Sequence, residues 1–508
     1  MTILFDSLKK ISEGREGKTA IVDSDGTNWS YGLLLRKIEE IIDLLRYDLR
    51  LSHVTRIGIA VEDSALSIAF IFATSALNLE IITLNPKLKS EQILRLLNEV
   101  KCDYLITNTN LNLSNAEIVG QFGDLTFINF GDEGSKYVSS NFNYGAETFI
   151  VTASSGSTGD PKPIALSQET KFRRMLQSAS LYSLTESDVI INASPFFHSM
   201  GQRLTFLPLL LGGTLVLLPR FNADRWLESV KKNSVTFTIC VSTHLHALTP
   251  HLLRAKSGDL PIRQIVSSSA ALNLTSKNAL FQSEVFLFNE QYGATEVATA
   301  TNLNSGDFQK SPLSVGNACR EAQIEIRTAD GAKQEIYGTG EIHVRSSLAY
   351  EGYVFNGELK EFNKEIEFFP TGDLGKLDEF GFLYFLGRKK EVINVGGQNV
   401  YPLDVEKVML ECADVDECLV VPAPDEYFGE IPVALIVTRS EKNLVLSQIR
   451  NLAAVQLASF QQPMHYEFVD AIPKLPSGKV NRILLMEYAA SLKLDIGSRY
   501  LRLQIDNQ

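Results

Sequence analysis

Short β-branched runs alternate with longer stretches of helical spacing from about residue 18 to residue 218, and this limits the architectures open to the chain. IGIAV begins at Ile57, a helical run covers 66–77, EIITL begins at Glu80, and another helical run starts at Ser90. Strands that recur only after a helix predict a layered α/β fold with mostly parallel strands. The most apolar stretches, 65–84 and 204–219, are broken by Asn78 and Glu80 in the first and by Pro208, Gly212 and Gly213 in the second. A membrane span needs about 20 apolar residues in succession, so each stretch predicts a buried helix followed by a strand.

After Gly340 the pattern changes. Short alternating strands, EIHVR and FLYFLG, replace the long βα units and predict a β-rich subdomain ending at Gly387. Beyond it, KKEVINVGGQNVYPLDVEKVML predicts a strand, a glycine turn and a helix, with CLVVPAP, PVALIVT and a helix near Leu446 to follow. The expected organisation is an N-terminal domain over 1–387, a hinge at 388–391 and a small α+β domain over 392–508, a size at which a unit can hold its own core.

A chain of 508 residues with 44% hydrophobic and 21% charged residues has the balance of a soluble globular protein. Its net charge of -12 argues against nucleic acid or an anionic membrane as a partner, since both attract clustered Lys and Arg. Any polyanionic ligand must therefore meet local positive groups. Cys102, Cys240, Cys319, Cys412 and Cys418 are scattered and odd in number, without a Cys-x-x-Cys pair. They predict reduced thiols in a cytoplasmic protein, not a disulfide framework or a zinc site. MTILFDSLKK lacks the basic start and apolar run of a signal peptide.

Residues 154–163, SSGSTGDPKP, bring two glycines, four hydroxyls and one lysine into one segment. Glycines let backbone N–H groups approach phosphate oxygens, hydroxyls add donors, and Lys162 adds charge. The segment is not a P-loop, because the spacing differs and strand-like TFIVTA and PIALS flank it on both sides. Taken alone, it could equally be a Ser/Gly hairpin turn. Gly156, Ser157, Thr158 and Gly159 have the wrong spacing for the Gly-x-Ser-x-Gly of a hydrolase. His244, His246 and His251 have no carboxylate placed to complete a metal site, so they read as core or surface histidines.

SSGSTGDPKP resembles the signature of the adenylate-forming superfamily, which includes acyl-CoA synthetases, aryl-CoA ligases, luciferases and peptide-synthetase adenylation domains. Pro163 departs from it, standing where the family usually has glycine and stiffening the loop exit. The remaining signatures follow in family order as far as Arg482. FFHSMG at 196–201 is similar to the segment that places a residue, here His198, beside the acyl pocket. Peptide-synthetase domains that take α-amino acids carry Asp at that position, so the resemblance implies an acid without an α-amino group. SSSAAL at 267–272 matches the adenine-binding turn loosely through Ala270 and Ala271. QYGATE at 291–296 implies Tyr292 against adenine beside Gly293, Thr295 at the α-phosphate, and Glu296 on Mg²⁺, which prefers carboxylate oxygen.

TGDL at 371–374 resembles the ribose signature and implies that Asp373 accepts the ribose hydroxyls, with Arg388 reaching the same sugar. Lys390 falls at the family's hinge position. Gly396 and Gly397, in GGQNVYP, would line the pantetheine channel after the small domain rotates, and this wording resembles CoA ligases more than peptide-synthetase domains. Lys479, in PKLPSGKVNR, matches the lysine brought to the acid and the α-phosphate. The resemblance thus implies catalytic roles for Lys479, Thr158, Glu296 and His198, with Thr158 and Glu296 at the metal. It implies nucleotide contacts from Ser154, Ser155, Gly156, Ser157, Thr158, Gly159 and Lys162.

The implied reaction activates a carboxylic acid as its acyl-adenylate, with ATP and Mg²⁺, and passes the acyl group to a thiol. That thiol is coenzyme A, or alternatively the phosphopantetheine of an acyl carrier protein. A non-catalytic binding protein on the same fold is the reading from a different class. Phe196, His198, Met200, Ser267 and Ala294 as pocket candidates suggest a mostly neutral, apolar acid, unless Glu290 points inward.

Overall fold

The computed structural model describes residues 2–49, 56–102, 104–108, 117–129, 148–153, 162–269, 272, 274–474, 480–492 and 494. Two nine-stranded sheets carry the first part of the chain. In one, Thr148–Ala153, Glu80–Thr83, Arg56–Ala60 and Tyr104–Thr107 run parallel at the centre, with antiparallel strands on both flanks. In the other, Leu287–Ala294, Gln264–Ser268, Phe237–Val241, Val189–Asn192, Thr214–Leu217 and Thr19–Val22 form a parallel run. The parallel character expected from the alternation is therefore present in both centres.

The two sheets share one apolar core. Ile57, Ile81 and Ile150 of the first and Ile21, Ile190, Leu215 and Phe237 of the second belong to a single buried cluster with helix residues Leu4, Phe70, Phe72 and Phe206. Helix Ala65–Ala76 explains this placement, because its sequence ALSIAFIFATSA is apolar on almost every face and such a helix must be covered all round. Ser64 and Ser67 close its N-terminus reciprocally, and Asn78 stops the chain in a left-handed conformation. Helices Ala223–Lys232 and Ser242–Leu252 cover the outer face of the second sheet, and Ser90–Glu99 covers that of the first. Both apolar stretches resolve into helix then strand, Ala65–Ala76 with Glu80–Thr83 and Ser199–Leu209 with Thr214–Leu217. Among the described residues no helix is long and apolar enough to cross a membrane.

Antiparallel structure begins earlier than expected from the sequence. The four-stranded sheet that contains Gly340–Ser346 starts at Ala322–Arg327, and continues through Phe369–Leu377 and Leu383–Arg388. The C-terminal part is a small α+β domain, whose strands Ile393–Val395, Gln398–Val400, Glu417–Asp425, Gly429–Val437 and His465–Phe468 pack against helices Pro402–Met409, Lys442–Gln456 and Arg482–Ser491. The short strand Gln398–Val400 and the helix Arg482–Ser491 add to the expected elements; the three residues of the strand carry no readable period.

Helix Ser199–Leu209 starts in a confined turn. A Cβ at Gly201 would lie 2.1 Å from the Pro195 carbonyl oxygen. Gly201→Ala should therefore destabilise the protein by about 1–3 kcal/mol, the usual cost of overpacking, as a lowered urea midpoint with an unchanged slope.

Candidate active site

The Ser/Gly-rich segment connects two antiparallel strands, Thr148–Ala153 and Pro163–Ser167, with Ala153 opposite Pro163. Proline at the first position of a strand is tolerated because no ladder donor is demanded there, which accounts for the departure at Pro163. Ser154, Ser155, Gly156, Ser157, Thr158 and Gly159 lie outside the described residues, as do Ala270 and Lys479. Lys162 is exposed, and its ammonium sits 5.4 Å from the centre of the Tyr353 ring.

Tyr353 leads to Glu296, because its hydroxyl donates to Glu296 Oε1 at 2.8 Å. Burial, with the nearby Glu296 carboxylate, raises the Tyr353 phenol far above its ordinary value, so it remains a donor. The backbone around Glu296 is held from behind. Arg174, on helix Gln168–Tyr182, donates from Nη1 to Thr295 O at 2.8 Å, from Nη2 to Glu296 O at 3.1 Å and from Nε to Leu348 O at 2.9 Å. Tyr350 N–H adds a bond to Glu296 O at 2.7 Å. Burial pulls the Arg174 guanidinium down to about 9, which leaves it charged at neutral pH.

Thr295 and Glu296 occupy the tip of a hairpin between Leu287–Ala294 and Ala298–Leu303. Its close turn requires Gly293, where a Cβ would meet Ala298 O at 2.0 Å. Next to it, the Tyr292 hydroxyl donates to Asp373 Oδ2 at 2.8 Å. Asp373 stands opposite Arg388 in an antiparallel pair, and Arg388 Nε lies 2.8 Å from Asp373 Oδ1. The acid of this pair is buried while the base is half exposed, with 49% of the Arg388 side chain open to solvent. Motifs some eighty residues apart thus meet as Tyr292, Asp373 and Arg388, the group expected at adenine and ribose.

Other side chains in this region carry no motif. Lys171, buried beneath the loop-bearing strands, donates to Gln202 Oε1, and Gln202 Nε2 donates to Thr152 Oγ1 at 3.0 Å. Burial, then the charges of Arg174 and Arg203, hold the Lys171 amine well below its ordinary value. Nothing in QETKFRRMLQ announces that Lys171 and Arg174 turn inward, since a charge run on a helix usually faces water. Glu290 does point inward, but it pairs with Lys277 at 2.5 Å, and Lys277 also donates to Ser314 O at 2.7 Å.

His198 caps helix Ser199–Leu209 and contacts the Phe197 ring, with centroids 4.3 Å apart. Asp63 anchors this segment, accepting the Phe196 N–H at 2.9 Å. His244 stacks on Phe221 at 3.8 Å, and burial lowers its imidazole to about 4. Among the described residues no group of three or more His, Cys, Asp or Glu could hold a metal ion.

Around Lys390 the chain is pinned on both sides. Lys389 pairs with Glu341 at 2.8 Å and Glu391 with Arg482 at 3.0 Å, while Lys390 is exposed within the short 3-10 turn Lys389–Glu391. Gly396 and Gly397 both have positive φ, 57° and 89°, and form the turn between Ile393–Val395 and Gln398–Val400. Among the described residues no hydrogen bond or ion pair joins that turn to Glu296 or Asp373. Lys474 and Val480 pair across the segment that contains Lys479.

This chain belongs to the AMP-binding enzyme family, matching its description over residues 8–354 and that of the AMP-binding enzyme C-terminal domain over 404–479. It is 31% identical over 336 residues to an uncharacterised acyl–CoA ligase of Bacillus subtilis, covering 66% of this chain and 67% of that one. It is 26% identical to the 2-succinylbenzoate–CoA ligase of Bacillus pumilus over 92% of this chain and 94% of the relative. In fold it superimposes on ATP-bound MatB from Rhodopseudomonas palustris with a TM-score of 0.80 at 23% identity, covering 97% of this chain and all of that one.

Asp63, which anchors the Phe196 backbone, should make stability depend on pH. Burial pushes its carboxyl up to about 7, against the lowering effect of the Phe196 N–H. Between about pH 4 and 7 the folded protein therefore holds a proton that the unfolded chain has released, and stability falls as pH rises. Over that window the wild type should lose about 2–4 kcal/mol relative to Asp63→Asn, as measured by denaturant unfolding at each pH.

Proposed function

We propose that this protein is an AMP-forming acid–thiol ligase that couples a carboxylic acid to coenzyme A through an acyl-adenylate. The observation that carries the reading is the convergence on one hairpin of Tyr292, Asp373 and Arg388 with the separate group of Glu296, Tyr353 and Lys162. The first suits a nucleoside, with an aromatic plate fixed by its own hydroxyl and a carboxylate–guanidinium pair at sugar reach. The second suits a polyphosphate, with an acid for a cation and an ammonium for an anion. The relatives named as CoA ligases favour CoA over a carrier protein as acceptor.

A carboxylate is a poor electrophile because it would have to expel oxide. The acid oxygen therefore attacks the α-phosphorus of ATP, pyrophosphate leaves, and a mixed anhydride results. Negative charge grows on the phosphate oxygens, and the ammonium of Lys479 with the N–H and hydroxyl groups of Ser154, Ser155, Gly156, Ser157, Thr158 and Gly159 would stabilise it. Glu296, an oxygen ligand held by Tyr353, fits Mg²⁺ together with Thr158, and the bound ion would supply phosphate charge neutralisation. Thr295 would meet the α-phosphate and His198 the acyl end.

For the second step we assign residues 1–387 to the nucleotide- and acyl-binding domain, 388–391 to the hinge and 392–508 to a mobile domain. The ion pairs of Lys389 with Glu341 and of Glu391 with Arg482 support a pivot at Lys390, since each hold lies on a different side of it. Rotation would withdraw Lys479 and bring Gly396 and Gly397 to a pantetheine arm. The thiol then attacks the acyl carbon, its proton goes to solvent or base, and AMP departs with the C–O bonding pair.

The direct test is acid-dependent pyrophosphate release from ATP and Mg²⁺ across aliphatic, aromatic, dicarboxylic and amino acids, followed by competition between CoA and acyl carrier protein. Absence of release with every acid rejects the ligase. Lys479→Ala should lower adenylation by roughly a hundredfold or more, yet spare thioester formation from supplied acyl-adenylate; equal loss of both steps removes that role. Lys390→Pro should impair thioester formation more than pyrophosphate release, and equal impairment would argue against a hinge there.

A further inference from the structure

Arg203 is a basic side chain near the hairpin that takes no part in the adenylation chemistry. It lies on helix Ser199–Leu209, one turn beyond Ser199 and Met200 and so on a neighbouring part of the same helical face. From there its guanidinium reaches the hairpin that carries Tyr292 and Glu296. Nη1 donates to Thr299 Oγ1 at 2.7 Å and to Gln291 Oε1 at 3.2 Å. Gln291 directly precedes Tyr292, and Thr299 is the register partner of Gly293.

Both acceptors are neutral. The Gln291 oxygen is also shared with the Tyr182 hydroxyl at 3.0 Å and the Thr299 hydroxyl at 2.9 Å. Among the described residues no carboxylate forms an ion pair with Arg203, and no hydrogen bond engages its Nε or Nη2. The titratable groups facing it are Tyr182 and Cys319, which burial keeps neutral at neutral pH, the Cys319 thiol being pushed up to about 12, and the basic side chains Lys171 and Arg174, which supply no counter-ion. The neighbours Gln202 and Leu204 are fully buried, whereas Arg203 keeps part of its surface open. Among the other buried cations, Arg174 spends its fork on three carbonyls, Lys277 pairs with Glu290 and Arg56 with Glu80, while Lys171 donates to the Gln202 amide oxygen.

A largely desolvated guanidinium with an uncommitted two-donor edge and no paired anion is costly unless a ligand completes it. We propose that Arg203 is a specificity-determining residue that binds a second carboxylate on the acid, remote from the carboxylate that is adenylated. This rests on the ligase reading above and names its substrate class, replacing the mostly neutral, apolar acid suggested by Phe196, His198 and Met200. A planar carboxylate matches the free Nε and Nη2 edge in a bidentate manner, which an ammonium could not reproduce.

The experiment compares acids paired by length and shape, adipate with hexanoate and phthalate with benzoate, by pyrophosphate release from wild type, Arg203→Met and Arg203→Lys. The wild type should favour a dicarboxylate over its monocarboxylate partner by roughly ten- to a hundredfold in kcat/KM. Arg203→Met should abolish that preference by lowering the dicarboxylate value while leaving the monocarboxylate value level or higher, and Arg203→Lys should restore it in part. A wild-type preference for the monocarboxylate in both pairs overturns the assignment while leaving the ligase intact. An equal loss for both members of a pair in Arg203→Met also overturns it, since the guanidinium would then only brace the hairpin. Wild-type selectivity decides the matter should the methionine variant fail to fold. Absence of release with all four acids and the wider panel sinks the ligase reading instead.

Discussion

One buried guanidinium holds together the parts that the chemistry needs. Arg174 spends its three nitrogens on the carbonyls of Thr295, Glu296 and Leu348, joining helix Gln168–Tyr182 to the hairpin tip and to the turn before Tyr350. Carbonyls at a hairpin tip would otherwise face water and let the tip move. Tyr353 follows the turn that Arg174 braces, and its hydroxyl fixes the Glu296 carboxylate. Hydrogen bonds to a charged donor contribute roughly 1.5–3 kcal/mol each, but desolvation of the cation offsets much of this. The result is therefore better described as fixed geometry than as large net stabilisation.

The same economy of position recurs around it. Lys171, Gln202 and Thr152 form a polar network directly under the strands that bear the Ser/Gly-rich segment. Glu351 accepts from Ser167 N–H at 2.9 Å and from the Thr170 hydroxyl at 2.7 Å, binding the exit strand to helix Gln168–Tyr182. Buried polar groups that are mutually satisfied specify one arrangement of the elements they join. Here they join the first sheet to helices Gln168–Tyr182 and Ser199–Leu209.

In the proposed ligase, nucleotide chemistry and acid recognition would draw on adjacent residues of one hairpin. Tyr292 turns toward Asp373, while Gln291, its neighbour along the strand, turns to Arg203 on the opposite face. Because strand side chains alternate in direction, a single strand can present one residue to a nucleotide and the next to an acyl group.

Much of this was legible in the chain before folding. The alternation of strand and helix set the parallel centres of both sheets, and TFIVTA and PIALS marked Thr148–Ala153 and Pro163–Ser167 without error. QYGATE, TGDL and GRKKE singled out Tyr292, Glu296, Asp373 and Arg388 as short local motifs, and the fold brings Tyr292, Asp373 and Arg388 into contact. Arg174, Tyr353, Asp63 and Arg203 left no such mark. Their partners are distant in sequence, and a helix bearing Lys and Arg looks the same whether that face meets water or a core. Local spacing determined the elements and the motif residues; only the stacking of helices between two sheets decided which charges were removed from water, and desolvation is what turns an ordinary charge into a specific one.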